Sequence, residues 1–381
     1  MSTIKSIFLQ HLNGTTPNAT MDTNGNFTVG GTVSGASSNM FRNRIINGDM
    51  RIDQRNAGAS STPAGSSGGT YTLDRWVYQA SQTGKFTVQQ NAGSVTPPTG
   101  FSSYLGLTST SSYSVGTSDY FNIYQCIEAN NIANLDFGKS TAKSITLSFW
   151  VRSSLTGTFG GSFRNGTGNR TYPFTYTISS ANTWTYITIT ISGDTTGTWA
   201  TDNTQGLYIT WSLGVGSTYS GGTVNTWNAG NYQSPSSPTS VVGTSGATFY
   251  ITGVQFEAGT VATPFEFRHY GTELALCQRY YQVLSNGLPV SYMFGASSTV
   301  AVVYTGSLPV PMRASPTLSN SVAVTINDSN ANYTQSSASM SINNGSATSL
   351  ALRTNNFTSL PQDGRAFQIM TASFAGLSAE L

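Results

Sequence analysis

Charge is scarce in this chain of 381 residues: only 8% of them are charged, and histidine occurs twice. The 17 basic and 15 acidic residues are spread thinly, so no basic cluster predicts nucleic-acid binding. A Ser-His-Asp triad would have to use His11 or His269, and no nucleophile-elbow motif accompanies either. The composition therefore argues against a hydrolase of the triad type and against a nucleic-acid partner.

Long apolar runs and cysteine are lacking as well. No stretch approaches the roughly 18 apolar residues of a membrane-spanning helix, and the first residues lack the apolar core of a signal peptide. We therefore expect no membrane insertion and no ordinary secretion. The two cysteines, Cys126 and Cys277, fit neither a zinc pattern nor a disulfide framework. Two buried free thiols are the favoured interpretation, and a single bridge between them stays open.

Aromatic and small polar residues are abundant instead. The chain contains 19 Tyr, 19 Phe and 6 Trp, and apolar residues make up 38%. Disordered chains lack aromatic and β-branched residues, so this chain should fold. Its surface must be solubilised by hydroxyl and amide groups rather than by charge, which is typical of β-rich extracellular or virion proteins. The length suits two or three domains.

Period-two alternation of apolar and polar residues predicts half-buried strands in the middle of the chain. We predict a β-bulge at Gly253, because the apolar phase shifts there. Several strands separated by Gly, Ser, Asn and Thr turns predict a β-sandwich of the jelly-roll type over residues 41–271. The clearest strand patterns are at residues 144–152, 185–191, 207–213 and 249–257.

Residues 1–40 are predicted to be a separate attachment segment. An Asn24-Gly25 pair between two short alternating runs indicates a hairpin, because a type I′ turn needs positive φ at both central residues. A single hairpin is not stable alone, so it should pack on a sister chain or on another protein. The Gly-, Ser- and Ala-rich stretch that follows is predicted to be a linker.

Residues 272–381 are predicted to form a short helix and a C-terminal β-sandwich domain. The helix covers residues 272–281, with Thr272 as its N-cap and Cys277 pointing inward. A Pro-rich stretch at 308–318 is unsuited to a central strand. The predicted class is therefore all-β, with further strands at residues 300–303, 322–326, 339–342, 350–353 and 366–374.

Carboxylates are few, and those closest together in sequence lie near arginines. Glycoside hydrolysis needs two carboxylates in different protonation states. Ion pairs that pin a loop explain Asp49, Asp53 and Asp74 better than catalysis does. An irregular calcium site using Asp49 or Glu257 stays open, but no calcium-loop motif occurs, so no metal or cofactor is predicted. The arginines expected to pair with the three aspartates are Arg44, Arg51, Arg55 and Arg75.

Aromatic side chains are the best candidates for a binding surface. Four of them lie out of phase with the apolar residues of their strands, and a fifth lies in a long Gly-, Asn- and Ser-rich loop. Flat rings stack on the apolar faces of sugars while polar neighbours bind the hydroxyls. Packing against a sister subunit or under a loop is the alternative. The candidates are Trp150, Trp184, Tyr186, Tyr208 and Trp227.

Two parts of the sequence carry a resemblance to a known family. One comprises residues 43–55 (NRIINGDMRIDQR) and 71–76 (YTLDRW). The other runs from 249 to 270 and continues through 275–281 and 309–317. Together they resemble modules of tail fibres and other fibre-like structural and adhesin proteins of tailed bacteriophages. The resemblance covers most of the chain in outline and supplies no established binding residues.

The resemblance implies a jelly roll similar to carbohydrate-binding modules, in a homotrimer on the tail or capsid of the virion. Residues 1–40 would attach to other virion proteins. The fibre would bind polysaccharide or lipopolysaccharide of the host surface without cleaving it, and three copies of a weak site would raise the effective affinity. The alternative is a purely architectural virion component, a decoration or connector protein without receptor binding. A glycan-degrading spike is the third hypothesis.

Overall fold

The computed structural model of the chain is nearly all β in the residues that it describes. It describes residues 8–9, 19–21, 27–29, 41–284, 293–297, 299–319, 325–327, 331–334, 340–357, 360, 366–369 and 375–381. Within these ranges the chain forms 25 strands and one α-helix of nine residues. No helix in the described ranges is long and apolar enough to cross a membrane. The predicted all-β class is confirmed.

The first three strands form a small antiparallel sheet in the order β1-β2-β3. Met21 pairs with Phe27 and Ala19 with Val29, so two strands pair across the Asn24-Gly25 position as predicted. The turn and the predicted linker lie outside the described residues. The strands are β1 (Phe8–Leu9), β2 (Ala19–Met21) and β3 (Phe27–Val29).

The central part is a sandwich of two antiparallel sheets. Its strands are β4 (Ser66–Tyr71), β5 (Val77–Ala80), β6 (Phe86–Gln90), β7 (Leu105–Ser109), β8 (Tyr120–Glu128), β9 (Ile145–Ser153), β10 (Gly157–Asn165), β11 (Arg170–Ile178), β12 (Thr185–Ile191), β13 (Gln205–Val215), β14 (Asn228–Ala229) and β15 (Thr248–Ala258). The larger sheet has the order β14-β11-β10-β13-β8-β5-β4, and the smaller has the order β12-β9-β15-β7-β6. The four strand patterns named above thus correspond to β9, β12, β13 and β15.

One apolar core lies between the two sheets. Alternate side chains of each strand point into it, and most of them are completely buried. Trp211 of the larger sheet packs against Trp76 and against Phe149 of the smaller sheet, with ring centroids 5.6 and 5.5 Å apart. Burial of each such side chain contributes about 2–3 kcal/mol relative to exposure. The core therefore fixes which side of every strand faces outward.

The predicted bulge at Gly253 is confirmed. The pairing of β15 with β9 shifts between Thr252 and Gln255, and Gly253 has a φ of 61°. A side chain there would also meet the Phe101 ring, because a Cβ would lie 2.7 Å from it. Glycine is required at this position on both counts.

A single helix, α1 (Tyr270–Gln278), follows the sandwich. The prediction of Thr272 as its N-cap is wrong: His269 is the N-cap, and no side chain caps the helix. The helix begins earlier because the Glu273 amide already bonds the His269 carbonyl. Cys277 is buried as predicted, in a small cluster with Ile46 and Ile52. Both cysteines are buried free thiols, so the favoured interpretation is confirmed.

The remaining strands form two sheets, in the orders β16-β25-β19 and β21-β20-β24-β17-β18-β23-β22. They are β16 (Tyr281–Leu284), β17 (Met293–Ser297), β18 (Val300–Ser307), β19 (Thr317–Leu318), β20 (Thr325–Asn327), β21 (Asn332–Thr334), β22 (Met340–Gly345), β23 (Ser349–Thr354), β24 (Ala366–Ile369) and β25 (Ala375–Ser378). All five predicted strands overlap strands of these sheets, although residues 322–324, 339 and 370–374 lie outside the described ranges. Of the Pro-rich stretch 308–318, residues 308–316 are not in a strand and residues 317–318 form the edge strand β19, so none of it lies in a central strand, as predicted.

Candidate functional site

A groove lies on the outer face of the larger sheet, where β8, β10 and β13 run side by side. On β13 the side chains of Leu207, Ile209 and Trp211 enter the core, so Tyr208 points outward. The register places Tyr208 between Cys126 of β8 and Arg164 of β10. The alternation that builds the core therefore builds the floor of the groove.

Four tyrosines and several polar groups line this groove, which has a volume of about 310 Å³. The rings meet in edge-to-face pairs, a favoured arrangement for aromatic side chains: Tyr120 with Tyr219, and Tyr124 with Tyr208, each with centroids 5.5 Å apart. All four are partly exposed. The amide and guanidinium side chains in the lining are Gln79, Arg164, Asn231 and Gln233.

Arg164 lies against the Tyr208 ring, with its guanidinium carbon 4.9 Å from the ring centroid. Its Nη1 donates a hydrogen bond of 2.8 Å to the Asn231 side-chain oxygen. Asn231 lies just after β14, in the loop that leads to β15 and folds back over this face. The same loop is fixed by a 2.6 Å hydrogen bond from Asn122 of β8 to Gln233. Strand and loop together hold the groove in shape.

Burial controls the protonation of the groove. Burial raises the pKa of Tyr124 to about 12, with a contribution from Cys126, and it also raises the pKa of Tyr208. Both phenols are therefore neutral at physiological pH, and each can donate and accept hydrogen bonds. Burial lowers the pKa of Arg164. No carboxylate is among the described residues that line the groove.

The five predicted site residues do not form one surface. Tyr208 lies in the groove of the larger sheet. Trp150 and Tyr186 lie together on the outer face of the smaller sheet, with centroids 5.1 Å apart. They line a mainly apolar hollow of about 430 Å³ with three phenylalanines, Phe101, Phe265 and Phe267.

The other two tryptophans each pack on one side against rings of the same chain. Trp184 contacts Tyr104 at 5.6 Å between centroids, and its Nε1 donates to the Thr96 carbonyl, so it lies under the loop that precedes β7. Trp227 packs against Trp199 at 5.5 Å, and its Nε1 donates to the Ser192 carbonyl. Both rings are partly exposed but engaged on one side.

Sequence reasoning missed Tyr120, Tyr124 and Arg164, and from the aromatic-rich loop it selected Trp227 rather than Tyr219. A pattern that could have revealed two of them is present in β8, where Phe121, Ile123 and Ile127 alternate with Tyr120 and Tyr124. Arg164 lies out of phase with Phe159 and Phe163 of β10, but the two glycines and the serine between these phenylalanines make the alternation weak. Its place in the groove depends on the pairing of β10 with β13, which a single strand pattern does not determine.

The ion pairs predicted for the aspartates of residues 49–74 are confirmed only in part. Asp49 pairs with Arg51 at 3.0 Å. Asp53 instead accepts hydrogen bonds from backbone amides of residues 56 and 58, and Asp74 accepts two from Gln54. Prediction of arginine partners for Asp53 and Asp74 was therefore wrong.

The other arginines predicted to pair with these aspartates have different partners. Arg55 and Arg75 converge on Glu380, which lies far away in sequence, and Arg44 donates to the Asn131 carbonyl. Glu257 is held by Thr263 and Gln255. No group of three or more metal-ligating side chains occurs within the part of the chain that the structure describes. His11 lies outside that part.

Neither a protein-family model nor a curated protein matches the chain. Solved structures do resemble it. A family 11 carbohydrate-binding module from Clostridium thermocellum, in complex with a β-1,3-1,4-mixed-linked tetrasaccharide, is 13% identical over 54% of this chain and 99% of its own, with a TM-score of 0.26.

Two further structures are similar to the same degree. A putative sugar binding protein from Bacteroides thetaiotaomicron is 11% identical over 57% of this chain and 100% of its own, with a TM-score of 0.30. A carbohydrate-binding module in complex with β-1,4-galactotriose is 12% identical over 49% of this chain and 88% of its own, with a TM-score of 0.25. Likeness of this degree assigns no ligand to this chain.

Proposed function

We propose that the chain binds glycan in the groove formed by β8, β10 and β13, without cleaving it. The observation that carries this proposal is the set of four partly exposed tyrosine rings beside amide and guanidinium donors on the outer face of a rigid sheet. Rings of this kind stack on the apolar faces of sugars, while the amides and the guanidinium bind hydroxyl oxygens. Because the scaffold is a packed sandwich, little ordering is needed on binding.

The lack of carboxylates in the lining supports binding rather than cleavage. Glycoside hydrolysis needs an acid and a base or nucleophile on either side of the scissile bond. The described residues of the groove supply tyrosines, amides and one arginine. Tyr124 and Tyr208 are poor bases at neutral pH, because burial raises the pKa of each.

We propose further that the glycan-binding chain is a virion fibre of a tailed bacteriophage, assembled as a homotrimer. The resemblance of residues 43–55, 71–76, 249–270, 275–281 and 309–317 to such fibres supports this proposal. Residues 1–40 would attach the chain to other tail or capsid proteins. Three copies of one groove would bind the host surface with higher effective affinity than a single copy. Immunogold labelling of purified particles tests the location.

A purely architectural role is the second candidate, and one surface favours it. Phe267 and Tyr270 are 54% and 56% exposed, and Phe41, beside Arg268, is 50% exposed. Exposed aromatics of this size are enriched in protein–protein contacts. A surface of this kind suits contact with a sister chain or another virion protein.

Titration of the full chain with neutral and acidic host-surface polysaccharide, followed by calorimetry, tests the glycan proposal. Tyr208→Ala should weaken binding about tenfold, which corresponds to about 1.4 kcal/mol. Tyr219→Ala on the covering loop is a second variant that leaves the sheet intact. Tyr186→Ala, which removes a ring from the opposite sheet, is the matched control and should bind like the wild type.

Three results would count against the proposal. If Tyr186→Ala lost binding and Tyr208→Ala kept it, the glycan site would be on the smaller sheet. Cleaved polysaccharide in the titration mixture would restore the enzymatic hypothesis. Absence of binding to any host polysaccharide by the correctly folded oligomer would favour the architectural role.

A further inference from the structure

Arg164 differs from most arginines of this protein in having no acidic partner among the described residues. Seven of the twelve arginines that the structure describes lie within 4.0 Å of a carboxylate oxygen, namely Arg42, Arg51, Arg55, Arg75, Arg170, Arg268 and Arg279. Arg164 is also the one charged side chain among the described residues that line the groove. Its charge is therefore directed at the groove without a counter-ion from any residue that the structure describes.

The guanidinium of Arg164 is held in place but makes few hydrogen bonds. Within the described residues, its Nη1 bonds Asn231, its plane lies near the Tyr208 ring, and its buried Nε has no hydrogen-bond partner. A guanidinium has five N–H donors, so most of them find no protein acceptor here. The groups nearest to it that could offset burial are the phenols of Tyr124 and Tyr208 and the thiol of Cys126. None of these carries a negative charge at neutral pH, because burial raises the pKa of all three groups.

Arg164 is partly exposed in the groove, so its charge is partly removed from water without a counter-ion; this is costly, and a bound anion offsets that cost. The planar guanidinium binds a carboxylate or phosphate through two parallel hydrogen bonds, which an isolated hydroxyl cannot match. We infer that the groove selects sugars that carry an anionic group, with Arg164 as the residue that recognises the anion. This inference rests on the proposed glycan binding and specifies its ligand class as acidic glycan.

The neighbours of Arg164 suit this selectivity. Neutral tyrosines accept the sugar face without repelling the anion, and Asn231 keeps the guanidinium from turning away. An acidic side chain at the rim would compete for Arg164, but no carboxylate is found among the described residues of the lining. A neutral sugar would bind the same rings but would leave the charge of Arg164 unpaired.

Matched pairs of probes test the inference on the full chain by calorimetry. Trigalacturonate is compared with its methyl ester, which keeps every ring and hydroxyl but loses the charges. Mannose 6-phosphate is compared with mannose, so that carboxylate and phosphate recognition can be told apart. We expect at least one anionic probe to bind about tenfold or more tightly than its neutral partner, and this preference to decrease between low and high salt.

Variants assign the preference to the residue. Arg164→Gln should bind the anionic and neutral probes of a pair equally, while Arg164→Lys should keep part of the preference, because it retains the charge without the bidentate geometry. Arg152→Gln is the matched control. Arg152 lies on the opposite sheet, over the Tyr250 ring, and donates to the Asn182 carbonyl, so its loss should leave the preference unchanged.

The outcomes separate this inference from the proposed function. Equal binding of anionic and neutral probes by the wild type would overturn the acidic-glycan inference and leave glycan binding intact. An anionic preference that persists in Arg164→Gln would also overturn it, because another group would then recognise the anion. If no probe and no neutral or acidic host polysaccharide bound the folded protein, both the inference and the proposed function would be wrong.

Discussion

Glu380 should be a large contributor to stability, because it neutralises a completely buried arginine. The side chain of Arg75 is 1% exposed, and its Nη1 pairs with Glu380. The same carboxylate binds Arg55 at 2.5 Å. Arg75 also donates to the Cys126 carbonyl and lies over the Tyr280 ring, with its guanidinium carbon 3.6 Å from the centroid. Replacement Glu380→Gln keeps the shape of the side chain and removes its charge.

The expected cost is set by the charge left behind. Removal of one partner of a buried ion pair typically costs about 3–5 kcal/mol, because the other charge stays buried and uncompensated. The Cys126 carbonyl and the Tyr280 ring offset part of this, so we expect about 3 kcal/mol for Glu380→Gln. At about 2–4 °C per kcal/mol, the melting temperature should fall by roughly 6–12 °C.

Chemical denaturation and thermal melting measure this loss. Asp136→Asn is the control: it breaks an exposed pair, in which Lys139 lies 3.0 Å away and is 65% exposed, and should cost about 0.5 kcal/mol or less. The double variant Arg75→Met with Glu380→Gln should recover part of the loss, since it removes the orphaned charge. If Glu380→Gln were no more destabilising than Asp136→Asn, the buried charge would not depend on its partner and the reasoning would be refuted.

Two more predictions concern buried titratable groups. Burial raises the pKa of Asp74 to about 6 from 3.8, against the opposing hydrogen bonds from Gln54, so the folded state takes up the proton first as the pH falls. As the pH falls from 6 to 4, the wild type should therefore gain stability relative to Asp74→Asn, by up to about 3 kcal/mol. Urea denaturation measures both free energies of unfolding, and a difference between them that stays constant across this range would contradict the prediction. Burial raises the pKa of Cys126 to about 12 and raises the pKa of Cys277 as well. Neither thiol should therefore react with a thiol reagent until the protein unfolds. Stoichiometric labelling of the native chain would contradict this prediction, because it would show that one of the thiols is accessible.

Strand patterns in the sandwich were readable from the sequence because one face of each strand is buried. Ile145, Leu147, Phe149 and Val151 alternate with polar residues and Trp150, and β9 follows this pattern closely. Gly253 could be identified as a bulge because a one-residue insertion reverses the phase of everything after it. Local periodicity thus carried the information for the class and for most of the strands in this part of the chain.

The site was less predictable, because it depends on which strands are neighbours. The phase of each strand says that Tyr208 and Trp150 both point outward, but not that they lie on opposite sheets. The sheet order places β13 beside β10 and β9 beside β12. Long-range packing also covers one side of the Trp184 and Trp227 rings, and no local pattern records that packing. The start of α1 also depends on context, since Arg268 and the amide of residue 47 engage Glu273.

Core and groove are linked through the register of one strand. Between two irregularities in its pairing with β8, β13 runs regularly from Leu207 to Ser212, with Trp211 locked between Trp76 and Phe149. A slip by one residue would bury Tyr208 and expose Trp211, so the packing of Trp211 in the core determines the direction of Tyr208. Arg164 is placed by the same register, directly opposite Tyr208 on β10. A loss of packing at Trp211 should therefore weaken ligand binding as well as stability, because the core beneath the groove determines the direction of its strand residues, in addition to the hydrogen bonds that hold Arg164 and the loop.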